Sequence, residues 1–267
     1  NLIDLAVIYE EFGRAMFPSP YMSTVVLSGI TILETGTEEQ KSAILPGIVA
    51  GNEIIALALN EPELGSTDTA RDPQIVTIHA HADGDEYLLH GSKQFVQNAG
   101  IAGTFLVPAR TGTGGIPEDG ITLFLVDAKS PGITISQLET VSGDSQYEVV
   151  FNNVRVRLSN IIGEPNSGWT PLMRSMQIGA VMSSAQMLGA GQQLLESTIE
   201  DAEARRQYDA VGGVDKFTEE YIAGLRRDVE YCRQTIYKAA EKLAKGEQCD
   251  FEDTVVSGWR EFAGKNV

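Results

Sequence analysis

Apolar residues at Leu2, Leu5, Ala6, Ile8, Tyr9 and Phe12 recur at the spacing of one helix face, and Pro18 and Pro20 punctuate its end. A second apolar stretch runs over residues 21–33. Thr37 followed three residues later by Gln40 forms a capping box, which predicts a short helix that stops in residues 47–51 between two glycines. The texture then changes at Glu53. From there to Gly163 the apolar runs are short and alternating: IIALAL (54–59), IVTIHA (75–80), EYLLHG (86–91), TFLVPA (104–109), ITLFLV (121–126), ITISQL (133–138) and YEVVFNNVRVR (147–157). Turn residues such as Asp83-Gly84-Asp85 and Pro131-Gly132 separate them, so this stretch predicts an antiparallel β-domain of seven or eight strands. After Gly168-Trp169 the helical period returns in three long patterns, 172–208, 217–245 and 251–267, which read as antiparallel bundle members. The expected architecture is therefore α+β: a helical domain over 1–52, a β-domain over 53–166 and a helical bundle over 167–267.

Composition narrows the function without naming it. The chain has 267 residues, 42% hydrophobic and 21% charged, as an ordinary globular protein does. A formal net charge of −17 argues against binding a phosphate backbone, so no nucleic-acid partner is expected. Two cysteines, Cys232 and Cys249, make neither a disulfide framework nor a zinc spacing and fit a reducing cytoplasm. No apolar run approaches the ~20 residues of a membrane span. The first nine residues lack the basic flank and cleavage site of a signal peptide. They also lack an initiator Met and begin inside a helical pattern, so the sequence reads as clipped at its start, and the bundle reads as ending early.

Little isolated chemistry stands out. The glycine-rich segment 111–120 lies between strands and opens no helix, so it reads as a hairpin loop rather than a phosphate cradle. His79 and His81 share a strand face at a spacing a metal could use, but without a third ligand they read as solvent-facing. Glu61 reads as part of a turn, and Glu219-Glu220 as a first-turn pair favoured by the helix dipole.

Six motifs, in order, carry a family resemblance. ALALNEPELGSTD (56–68) resembles the acyl-CoA dehydrogenase pattern of a strand leading into Thr-Glu-Pro-x-x-Gly-Ser-Asp. GSKQFVQNA (91–99) is similar to that family's Gly-x-Lys-x-Phe/Trp-Ile-Thr-Asn-Ala, and residues 149–169 resemble its F-x-x-V-x-V-P-x-x-N-x-x-G followed by G-x-G-[WF]. Arg205-Arg206-Gln207-Tyr208 resembles Arg-x-x-Phe-Gly, and EEFGR (10–14) and GTEEQK (36–41) match the N-terminal helices. The resemblance implies a helical domain, a middle β-domain and a four-helix bundle that builds a tetramer. FAD would lie between the β-domain and the bundle and reach across a subunit interface. The implied reaction is α,β-dehydrogenation of a CoA thioester: a glutamate removes the α proton, hydride passes from the β carbon to the flavin, and hydrogen bonds stabilise the enolate-like oxygen. A further partner would be the acceptor that takes the electrons onward.

Carried over residue by residue, the resemblance puts Leu57, Leu59 and Asn60 against the flavin ring, with Asn60 where the family has Thr. Ser66 falls on the serine that meets the FAD pyrophosphate, and Phe95 on the aromatic residue beside the isoalloxazine. Gln97 stands in place of the Thr or Ser that donates towards flavin N5. Arg205 matches the arginine reaching the FAD of a neighbouring subunit, with Tyr208 for the aromatic three residues on. Past it the match falters, with Asp209 for Gly, two extra residues before Phe217, and Thr218 for Gln.

The base departs furthest. One family location lies beyond Val267; the other, on the first bundle helix, falls on Gly179, with Ala180 at the neighbouring substrate arginine. Residues 173–191 hold no carboxylate. Three readings follow: a supporting subunit of a heteromeric acyl-CoA dehydrogenase, an ordinary homotetrameric enzyme whose base lies further on, and an interaction protein keeping only the fold. Small residues at Gly179, Ala180, Ser183 and Ser184 hint at room for a bulky, steroid-like acyl group.

Overall fold

The computed structural model of the chain describes residues 1–62, 72–112, 115–141, 143–208 and 216–247, with 205–208 and 216–218 described for their backbone alone. By backbone proximity it divides into two compact units, Ser19–Met176 and Asn1–Pro18 with Gln177–Val267.

The first unit is an eight-stranded sheet flanked by short helices. Its strands are β1 (Ile55–Leu57), β2 (His79–Asp83), β3 (Glu86–Gln97), β4 (Thr104–Arg110), β5 (Ile121–Asp127), β6 (Ile133–Leu138), β7 (Gln146–Arg157) and β8 (Ile161–Ile162). The order is β6-β7-β3-β2-β4-β5-β8, with β1 on β4. Most neighbours are antiparallel, as expected, but β1 and β2 each meet β4 in parallel. Burial alternates along β4 and β5 between two apolar clusters. Phe105, Val107, Phe124 and Val126 face one side, while Leu106, Leu123 and Leu125 face the other. Strands covered on both faces have no polar alternation to show, so TFLVPA and ITLFLV, expected among the alternating runs, are instead buried nearly throughout.

The second of those clusters is closed by helical residues. Residues 21–33 are helical, as the pattern predicts, but as a π-helical stretch, Met22–Gly29, continuing into Ile30–Thr35. Ile32 from that helix and Trp169 and Leu172 from the start of the first long helix join it. Thr24 Oγ1, buried, accepts from Ile55 N and donates to Ile55 O, both at 3.2 Å, and so ties this helix to β1. The capping box at Thr37 and Gln40 opens Glu38–Val49 as expected. The Gln40 amide also donates to the Ser159 and Ile161 carbonyls at 2.9 and 2.7 Å.

One strand starts late. The run 75–80 reads as a strand, yet Pro73–Ile75 is a 3₁₀ turn and β2 begins only at His79. The reason lies in the amides of Thr77 and Ile78, which donate to the Glu61 carboxylate and not to a neighbouring strand.

Numbering the helices in chain order, α1 is Leu2–Arg14, α2 Ile30–Thr35, α3 Glu38–Val49, α4 Trp169–Tyr208 and α5 Lys216–Ala244. In the second unit α1 packs on α4 and α5. Glu10 of α1, buried, accepts from Arg233 at 2.6 Å and from the Tyr237 hydroxyl at 2.8 Å, both on α5. Arg14 makes a two-pronged bond to Glu196 of α4 at 2.9 and 2.8 Å. The expected third bundle helix, 251–267, lies outside the described residues, as does Cys249; Cys232 is buried on α5.

Candidate active site

The end of β1 and the last third of β3 form one lip of the sheet. The β3–β7 ladder shifts register between Lys93 and Val96, and inside that irregularity Phe95 has φ = 54°. A left-handed backbone on an aromatic residue costs of order 1–3 kcal/mol, and such strain gathers at functional positions. Its consequence here is directional: Val96 is 1% exposed while Phe95 is 57% exposed. Gln97, two residues on, shares the solvent side with Phe95. Gln94 N, next to Phe95, donates to the Asn60 carbonyl at 2.8 Å, so the exposed Asn60 stands beside the bulge.

A buried ion pair underlies this lip. Lys93 Nζ donates to Glu61 Oε1 at 2.6 Å and to the Leu59 carbonyl at 3.1 Å. The Glu61 carboxylate also accepts from the amides of Thr77 (3.0 Å) and Ile78 (3.1 Å) and from the Thr77 hydroxyl. The Lys93 and Glu61 side chains are 0% and 2% exposed. Burial pushes the Lys93 ammonium down to about 8, and the adjoining Glu61 carboxylate opposes that fall.

The placement of the expected residues is uneven. Leu57 and Leu59 bury their side chains in the core, so they offer a ligand only backbone groups. Asn60, Phe95 and Gln97 are all exposed, Asn60 joined by its carbonyl to the residue before Phe95 and Gln97 two residues further along β3. Ser66 lies outside the described residues, as do the side chains of Arg205 and Tyr208, whose backbone ends α4. Gly179 is buried within α4, and Ala180 is half-buried. His79 and His81 are exposed and stacked, with ring centroids 5.9 Å apart, and His90 sits opposite His79 in the ladder. Among the described residues no three His, Cys, Asp or Glu side chains are grouped to hold a metal ion, and no helix is long and apolar enough to cross a membrane.

Glu61 needs correction. Read from sequence it is a turn residue; in the structure its carboxylate is the centre of a buried hub that accepts from Lys93, Thr77 and Ile78. The readable signal was Lys93: it has the parity of the buried Leu89 on β3, so the alternation puts a charge on the core side and requires a buried partner.

An exposed ring on a strained bulge can stack or edge against a planar heteroaromatic, and exposed amide side chains such as those of Asn60 and Gln97 can hydrogen-bond to the rim of one. Fold and lip together describe a class, a domain of mixed sheet and helices with exposed aromatic and amide residues near the end of an interior strand. The chain belongs to the acyl-CoA dehydrogenase family. Residues 1–52 match the N-terminal, 56–154 the middle and 166–257 the C-terminal domain of acyl-CoA dehydrogenase. The chain is 31% identical over 250 residues to the 3-(aryl)acrylate reductase of Clostridium sporogenes, covering 92% of this chain and 65% of that protein. The structure described as Tcur3481-Tcur3483 steroid ACAD G363A variant aligns with a TM-score of 0.83 at 27% identity, over 95% of this chain and 64% of that one. PigA with FAD and proline aligns with a TM-score of 0.81 at 26% identity, over 96% and 67%. The chain spans 58% to 65% of the length of the first three curated relatives it matches.

Proposed function

We propose that this chain is a subunit of an FAD-dependent acyl-CoA dehydrogenase acting on the Cα–Cβ bond of a CoA thioester, and that it supports catalysis by a related partner subunit. The observation that carries the flavin reading is the lip itself: Phe95 turned out to solvent by a left-handed backbone, with Asn60 and Gln97 beside it. These groups fit FAD, since a flavin offers a flat face for the ring and heteroatoms at its rim for the amides. Bound FAD supplies the two-electron acceptor. Phe95 limits where its ring system can sit. Asn60 and Gln97 orient it by hydrogen bonds, and the backbone of Leu57 and Leu59 borders it. Ser66 holds the pyrophosphate, and Arg205 and Tyr208 serve the FAD of a neighbouring subunit. A separate electron-transfer protein takes the electrons onward.

The supporting role rests on α4. Gly179 and Ala180, at the position of the base and its neighbouring arginine, can neither remove a proton nor bind a carbonyl, and Gln97 enlarges the side chain where hydride would pass. The small residues Gly179, Ala180, Ser183 and Ser184 suit a bulky, steroid-like acyl group. The test is the flavin and subunit content of the protein purified from its native source. About one FAD to two chains of different sequence supports the heteromer. A yellow, active protein made of this chain alone returns it to the homomeric reading, and a colourless protein overturns the flavoprotein reading.

A further inference from the structure

We infer that Glu61 and Lys93 are positioning residues: their buried contact clamps the Asn60 segment to the Phe95 bulge, so that the two arrive at the cofactor as one unit. The inference rests on the flavin reading above and adds to it the device that holds the lip in shape. Three segments distant in sequence meet at the pair. Leu59 O and Glu61 come from the end of β1, the amides of Thr77 and Ile78 from the approach to β2, and Lys93 from β3. Lys93 is two residues before Phe95, and between them Gln94 N reaches Asn60 O at 2.8 Å.

The clamp acts where ordinary sheet bonding stops. The β3–β7 register breaks between Lys93 and Val96, and β1, which ends at Leu57, pairs with β4. Neither Asn60 nor Phe95 is therefore held by a continuous ladder. Phe95 moreover has a backbone conformation that would relax if the chain around it were free. The Lys93 ammonium opposes that relaxation by holding the Leu59 carbonyl and the Glu61 carboxylate at once. A buried ion pair is a poor source of stability, since apolar groups of like volume do as well or better. Its bonds are directional where apolar contacts are not, which suits a part whose product is geometry.

The decisive variant is Glu61→Gln with Lys93→Met, made in the complete protein with any partner subunit present. It removes both charges together and leaves no buried ion unpaired. Hydrogen–deuterium exchange is read on the protein freed of cofactor, over 57–62 and 92–98, with β4 and β5 as internal reference. FAD affinity is then read by quenching of flavin fluorescence, together with the circular dichroism of the bound flavin. The expected result is a folded protein whose exchange in those two segments rises by roughly tenfold or more while β4 and β5 hold, with a similar loss of FAD affinity and a changed flavin dichroism. A folded double variant with parental exchange, affinity and dichroism overturns the inference. Should the double variant not fold, Thr77→Val removes one hydroxyl donor to Glu61 at nearly constant volume. Faster exchange in the same segments, by roughly fivefold, supports the clamp, and unchanged exchange overturns it. A parent protein that takes up no FAD overturns the flavin reading, and the exchange comparison, which needs no cofactor, still decides the clamp.

Discussion

Gly13 of α1 and Gly189 of α4 each lie against the backbone of the other helix: a Cβ on Gly13 would fall 1.7 Å from the Gln186 carbonyl oxygen, and one on Gly189 1.8 Å from that of Glu10. The helices approach so closely because neither has a side chain at the crossing. That approach also brings the Glu10 and Arg14 side chains of α1 to their partners Arg233, Tyr237 and Glu196.

Gly13→Ala and Gly189→Ala should each destabilise the protein by about 1–3 kcal/mol, since the obstacle is rigid backbone and the helices must separate to admit a methyl group. Gly191, two residues further along α4, has nothing within 4 Å of a built Cβ. Gly191→Ala should instead stabilise by about 1 kcal/mol through helix propensity alone. Urea unfolding of the three variants checks this, and a loss of stability at position 191 would contradict it.

The Arg14–Glu196 pair predicts an acid limb. Hydrogen bonds from Arg14 and then Gln192 hold the Glu196 carboxyl at about 2, below its ordinary 4.5. A depressed carboxyl contributes stability that is fully present above about 4.5 and is lost as pH falls through about 2. Glu196→Gln should therefore flatten the dependence of melting temperature on pH in that window and leave its shape near neutrality unchanged. A parent and variant with parallel melting curves from pH 4.5 to 2 would refute the assignment.

Arg110 should anchor the start of β2 and the hairpin loop after β4. Its guanidinium donates to the carbonyls of Val76 (2.7 Å), Pro73 (2.8 Å), Pro117 (3.1 Å) and Asp119 (3.3 Å). Lysine cannot span four carbonyls with one ammonium. Arg110→Lys should cost about 1–3 kcal/mol and raise amide exchange in 73–76 and 115–120 before the rest of the sheet. Uniform exchange across all strands would show that the loss is global rather than local.

Much of this was legible in the sequence because period reports exposure. The helical spacing of Leu2 to Phe12 reflects one side facing water, and the box at Thr37 and Gln40 reflects the unpaired amides of a helix start. What escaped was where contacts, not period, decide. The run 75–80 has strand composition, yet the Glu61 carboxylate captures its amides from a segment 16 residues away. Parallel pairing of β1 with β4 leaves no local mark. Phe95 could be placed by resemblance, but its outward turn depends on a register break against β7, invisible without the partner strand.

Phe95 gives the sharpest division between fold and function. Its φ of 54° is one that glycine adopts at no steric cost, so Phe95→Gly relieves the strain and removes the exposed ring in one step. Because the ring is 57% exposed, little core packing is lost with it. Thermal stability of the cofactor-free protein should stay level or rise by up to about 1 kcal/mol, the relieved strain being set against glycine's greater freedom in the unfolded chain. FAD affinity should fall by roughly tenfold, about what one aromatic contact is worth. Phe95→Trp should keep the affinity while retaining the strain. Measuring melting and flavin binding on the same three proteins separates the alternatives: a destabilised Phe95→Gly variant that binds FAD normally would make Phe95 a packing residue, whereas a stable variant that has lost FAD would show that the bulge is maintained for the cofactor.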